Sequence, residues 1–102
     1  MQVTIDRQKW QRGEGDGEFY NEFTGNCCAM GFICLAAGIP LEDIIGLSAI
    51  DPKIAELVGN DIVGIQGKVV DLNDDSYLED DEREEKLGNV AREAGIELTF
   101  IN

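Results

Sequence analysis

One stretch of this sequence cannot face water. Residues 27–37, CCAMGFICLAA, hold no charged, amide or hydroxyl side chain, in a chain of which 28% is charged. An apolar run without a polar stripe predicts a helix enclosed on all sides, led by Asn26 as N-cap and stopped at Gly38. It is too short to span a bilayer. The rest of the chain must therefore wrap it. For 102 residues, folding hides roughly two-thirds of the extended surface, enough for one modest core without metals or disulfides. A single domain over residues 1–102 is expected.

The flanking segments supply the wrapping. MQVTID alternates, so Val3 and Ile5 share the inner face of a strand. Arg7 to Phe23 is polar and irregular, with Gly13, Gly15 and Gly17 alternating with acids, which predicts a loop. IPLEDIIG and DPKIAELVG predict two short helical pieces, the second with Asp51 as N-cap, Pro52 at its first position and Gly59 after its end. The β-branched DIVGIQGKVVDL, interrupted by Gly64 and Gly67, predicts a strand pair or one bulged strand over 62–72. From Glu79 to Ala94 the pattern is helical, with Leu87, Val90, Ala91 and Ala94 on one stripe and Gly95 closing it. Ile96, Leu98 and Phe100 alternate in a final strand able to pair with residues 2–6. The fold class expected is α+β: a buried central helix, a C-terminal amphipathic helix and a small sheet that includes both terminal strands.

Charge and composition narrow the functions. With 8 Lys+Arg against 21 Asp+Glu, the formal net charge is -13, which repels nucleic acids and anionic membranes as direct ligands. The chain has no histidine, which removes Ser-His and Cys-His catalysis and the commonest zinc ligand. Cys27, Cys28 and Cys34 are odd in number and lack a C-x-x-C spacing, so a reducing intracellular compartment is expected. MQVTIDRQKW lacks the pattern of a secretory leader.

Three segments carry candidate chemistry. The first is DLNDDSYLEDDEREE, residues 71–85, with nine acids against Arg83. Asp71, Asn73, Asp75, Ser76, Tyr77, Glu79 and Glu82 fall at positions 1, 3, 5, 6, 7, 9 and 12 of an EF-hand calcium loop, with Leu78 at position 8. Against calcium stand Ser76 where the turn needs glycine and GKVV reading as strand where a helix should enter. A plainer reading has Asp71 to Asp75 form a turn, followed by a capping box of Ser76 with Glu79 or Asp81 with Glu84. A third makes Glu79, Asp80, Asp81, Glu82, Glu84 and Glu85 a partner-binding face. If helical, these six acids approach the axial charge density of duplex DNA, about one per 1.7 Å. The second segment is the cysteine pair, read either as a thiol activated at a helix start or as small apolar core residues. The third is IDRQKWQRGEG, residues 5–15. Trp10 and Arg12 can form a binding hot spot there, or Trp10 can cap the core while Arg12 pairs with an acid of the same chain.

Taken together, IDRQKWQRGEG, CCAMGF at 27–32 followed by Gly38-Ile39, NDD at 73–75, EREEKL at 82–87 and Gly95-Ile96 resemble a group of small acidic proteins encoded by bacteriophages and prophages. The resemblance covers nearly the whole chain and implies a phage or prophage origin and a bacterial cytoplasm, without assigning an activity. The function expected is that of a non-enzymatic accessory protein. It would bind a basic surface of a host or phage protein, such as a defence or nucleic-acid-handling factor, and inhibit it as a nucleic-acid mimic. The alternative is a calcium-binding module using Asp71, Asn73, Asp75, Glu79 and Glu82; no other cofactor is expected.

Overall fold

The computed structural model describes residues 1–14 and 18–102. Gly15, Asp16 and Gly17, part of the expected glycine-rich loop, lie outside the described residues. The element order is β1 (Gln2–Asp6), β2 (Tyr20–Asn21), β3 (Asn26–Cys27), α1 (Ala29–Ala36), a single 3-10 turn (Leu41–Asp43), α2 (Pro52–Val58), α3 (Asn60–Asp74), α4 (Asp80–Glu93) and β4 (Glu97–Ile101). The α+β class, the buried helix and the sheet of terminal strands are as expected.

β1 and β4 run parallel, in register from Gln2 opposite Glu97 to Asp6 opposite Ile101. The pairing extends past the strands: the N-terminal amine donates to the Gly95 carbonyl at 2.9 Å and the Glu97 N–H to the Met1 carbonyl at 2.9 Å. Val3 and Ile5 are buried beside Ile96, with Leu98 and Phe100 packed against the same core. The alternation of both strands fixes this, since every second side chain shares a face.

α1 buries Ala29, Met30, Gly31, Ile33 and Cys34 and packs against β1 and α3. It is shorter than the predicted 27–37. Asn26 and Cys27 instead pair as β3 with Asn21 and Tyr20, so Asn26 does not cap the helix. At its other end the chain leaves through Gly38 at φ +94°, as predicted. α2 also matches the sequence reading: the Asp51 carboxylate accepts the Ile54 N–H at 2.8 Å, Pro52 opens the helix, and Gly59 at φ +92° ends it.

Residues 62–72 are not strands. They lie within α3, whose buried residues Ile62, Ile65, Val69 and Asn73 recur every three or four positions, the spacing of one helix face. β-branched content suggested strand, but the period decides, and Gly64 and Gly67 fall on the exposed side. α4 begins at Asp80 with Glu79 at its N-cap, which makes no side-chain cap hydrogen bond; neither predicted capping box forms. Its inner stripe is Arg83, Leu87, Gly88 and Ala91.

Candidate functional site

The segment Arg7–Gly13 runs as a strap from β4 past β3 to α3. Its backbone is tied to β4 through the Arg7 N–H and the Ile101 carbonyl (2.9 Å), to β3 through the Gln11 N–H and the Cys27 carbonyl (2.8 Å), and to α3 through the Gly13 N–H and the Asn73 carbonyl (2.8 Å). The indole of Trp10 is 4% exposed and tilts against Phe100, ring centroids 5.1 Å apart. Arg12 stands over Trp10 with its guanidinium carbon 4.5 Å from the ring centroid, and Arg7 over Phe100 at 5.8 Å. A buried indole N–H needs an acceptor. It finds the side-chain oxygen of Asn73 at 2.7 Å.

Asn73 is wholly buried and serves three elements. The same oxygen accepts the Ala29 N–H at 2.9 Å, so the start of α1 is capped from α3 rather than by a residue before it. Its amide donates to the Gln11 carbonyl and to the Asp74 carboxylate. The spacing of Asn73 from Asp71 and Asp75 fits a calcium loop; the sequence signal for its role here is a single indole donor in an acidic chain, which identifies the donor but not the acceptor.

That calcium loop is not formed. Asp71 to Asp74 are the last turn of α3, so successive carboxylates fan around a helix instead of curling about an ion, and the Asn73 oxygen already has two donors. Among the described residues no group of three or more cysteine, aspartate or glutamate side chains is arranged to hold a metal. The connection 75–79 is instead built around Arg83, which is 2% exposed. Its guanidinium donates to the carbonyls of Leu72, Asp75 and Leu78 and to the Asp80 carboxylate. A buried cation is tolerated only when paired and hydrogen-bonded, and Arg83 meets both conditions.

The six acids predicted to form one face divide into two sets. Asp80 and Glu84, four residues apart and hence on one side of α4, turn toward the strap. Glu84 takes a two-point hydrogen bond from Arg7 at 2.8 and 2.7 Å; Asp80 takes Arg12 at 2.9 Å and Arg83 at 3.0 Å. Hydrogen bonding from Arg12, joined by Arg83, holds the Asp80 carboxyl below the usual aspartate range. Glu79, Asp81, Glu82 and Glu85 face water and make no ion pair among the described residues. Trp10 and Arg12 are therefore not a free hot spot: the indole is internal, and the guanidinium is held by Asp80 and by the Arg7 and Trp10 carbonyls.

The cysteines are core residues. All three are buried free thiols, and burial pushes Cys28 up to about 12 and Cys27 and Cys34 up to about 11, the reverse of what a nucleophilic thiolate needs.

An open polar cleft of about 450 Å³ lies where these parts meet. Trp10, Arg12 and Glu14 of the N-terminal segment, Thr24 and Asn26 of the β2–β3 hairpin, and Asp80 at the start of α4 line it. Comparison with protein-family models, curated sequences and solved structures finds no match to this chain. No helix among the described residues is long and apolar enough to cross a membrane.

Proposed function

We propose that this chain is a non-enzymatic binding module, a phage- or prophage-type accessory protein acting in a bacterial cytoplasm. It occupies a basic surface on a host or phage protein, such as a defence or nucleic-acid-handling factor, with the outward face of α4. The observation that carries this reading is the division of the acids: among the described residues Glu79, Asp81, Glu82 and Glu85 stay exposed and form no ion pair, although the fold pairs Asp80 and Glu84. Four carboxylates over six residue steps, about 9 Å of helix, give one charge per roughly 2.3 Å. That is sparser than the duplex density of about one per 1.7 Å, yet dense enough to steer association with a cationic groove. The absence of histidine and the burial of every thiol support binding over catalysis.

The test is a pull-down with tagged protein from nuclease-treated bacterial lysate, at low salt and at about 0.5 M, where the Debye length falls below about 5 Å. A variant carrying Asp81→Asn, Glu82→Gln and Glu85→Gln should lose the partner at least tenfold while melting as the parent does. Glu84 is left intact because it anchors Arg7. A partner retained by that variant or at high salt, or no partner at all, would overturn the reading.

A further inference from the structure

The aromatic side chains of this protein are sharply divided. Of the seven in the sequence, Trp10 and Phe19 are buried, while Tyr20, Phe32 and Phe100 pack against the core. Phe23 and Tyr77, in contrast, are 93% and 95% exposed. A single exposed apolar residue needs no explanation. Two nearly bare rings on turns with the same local construction do.

In each turn an Asx side chain two residues earlier accepts the aromatic residue's N–H. Asn21 Oδ1 takes the Phe23 N–H at 2.9 Å and the Thr24 N–H at 3.3 Å; Asp75 Oδ1 takes the Tyr77 N–H at 2.9 Å. The Phe23 turn is further closed by the Gly25 N–H on the Asn21 carbonyl, with Gly25 at φ +74°, and by the Asn26 N–H on Thr24 Oγ1. The Tyr77 connection is clamped from below by buried Arg83 through the Asp75 and Leu78 carbonyls. Rings on turns built in this way lose little backbone freedom when they dock. The Phe23 turn contributes Asn21, Thr24 and Asn26 to the lining of the polar cleft, and the Tyr77 connection leads three residues later into Asp80, which lines the same cleft.

The setting of the rings specifies their partner. Glu22 beside Phe23, Glu14 at the cleft, and Glu79 and Asp81 after Tyr77 are all exposed. A second copy of this chain, also at -13, is repelled from such a rim. We infer that Phe23 and Tyr77 are the apolar anchors of an interface whose partner is a cationic protein surface: an apolar socket bordered by lysine and arginine. The acids attract it over distance, and the rings supply contact area that excludes water at the centre. This rests on the acidic-face reading above and adds to it the point of insertion.

The experiment places a benzophenone amino acid at position 23, at position 77 or, as a control, at position 57, where Leu57 is exposed on α2. The full chain is photolysed in nuclease-treated bacterial lysate, and the cross-linked partner residues are mapped by mass spectrometry. Adducts at 23 and 77 but not at 57, mapped to apolar residues flanked by lysine or arginine, are expected. Wild-type protein should compete for them at least tenfold better than Phe23→Ser, whose melting temperature should match the parent. No adduct, an adduct with a second copy of this chain, a partner site without cations, or equal competition by Phe23→Ser would overturn the inference. If Phe23→Ser competes fully while the neutralised α4 variant does not, only the anchors fall; if the adducts at 23 and 77 survive α4 neutralisation, the acidic-face reading falls and the anchors stand without it.

Discussion

Asn73 shows how much one amide can organise. Its oxygen holds Trp10 and Ala29, and its backbone carbonyl holds Gly13, so strap, α1 and α3 converge on it. Asn73→Leu keeps the branched shape but strands two buried donors, each worth roughly 1–3 kcal/mol when unsatisfied; a loss of about 2–6 kcal/mol is expected in urea unfolding. A loss under about 1 kcal/mol would mean that the hub carries no weight. Asp80 supplies the pH dependence. Its folded pKa lies below the ordinary value, so its contribution is present above the usual aspartate range near 4 and is lost as pH falls through the folded value. Asp80→Asn should flatten the acid limb of stability against pH, and only modestly, because half of this side chain is in water. An unchanged limb would remove Asp80 from the account. At this scale the sequence was partly legible. That Trp10 caps the core and that Arg12 pairs within the chain were among the alternatives it offered; that the pairing acid is Asp80, and that Asn73 is the indole acceptor, depends on contacts across more than sixty residues, which one sequence does not encode locally.

Helices α3 and α4 differ in how openly they declared themselves. α4 was readable because its acids crowd the first turn, where the helix dipole favours them, and Gly95 at φ +74° ends the segment. α3 was hidden by its β-branched residues and its two glycines, both weak helix formers. Those glycines are exposed, and a methyl at either would meet nothing within 4 Å. Gly64→Ala and Gly67→Ala should therefore each stabilise by about 0.5–1 kcal/mol, raising the melting temperature by several degrees when combined. The contrast is Gly31 in α1, where a methyl would overlap the Phe19 carbonyl. Gly31→Ala should cost about 3 kcal/mol or more, because backbone has to move. Equal melting temperatures for the three variants would show that the helix assignments are wrong. The same comparison explains why composition misled: glycine in α1 marks a tight contact, while in α3 it faces open water.

For the molecule as a whole, charge opposes compactness. The described ion pairs, Arg7–Glu84, Arg12–Asp80, Arg83–Asp80 and Lys68–Glu93, are few against a net charge of -13. Exposed pairs contribute about 0–1 kcal/mol each, so screening should relieve more repulsion than it removes attraction. Melting temperature should rise between about 0.02 and 0.2 M sodium chloride; a fall would show that the arginine contacts dominate. The overall class and the pairing of the first and last strands were legible from alternation alone, whereas the parallel direction was not, since alternation is identical either way. That pairing has a further consequence. β1 meets β4 nearly the whole chain away, and closing so long a loop costs about 4 kcal/mol of chain entropy, which favours local helix pairing before the sheet closes. The two ends work as a clasp. A cut in the connection between Gly46 and Ile50 would leave one strand of the pair on each piece, so the halves should recover the fold by meeting, and residues 1 and 102, six residue rises apart in this register, would be brought to about 20 Å of each other.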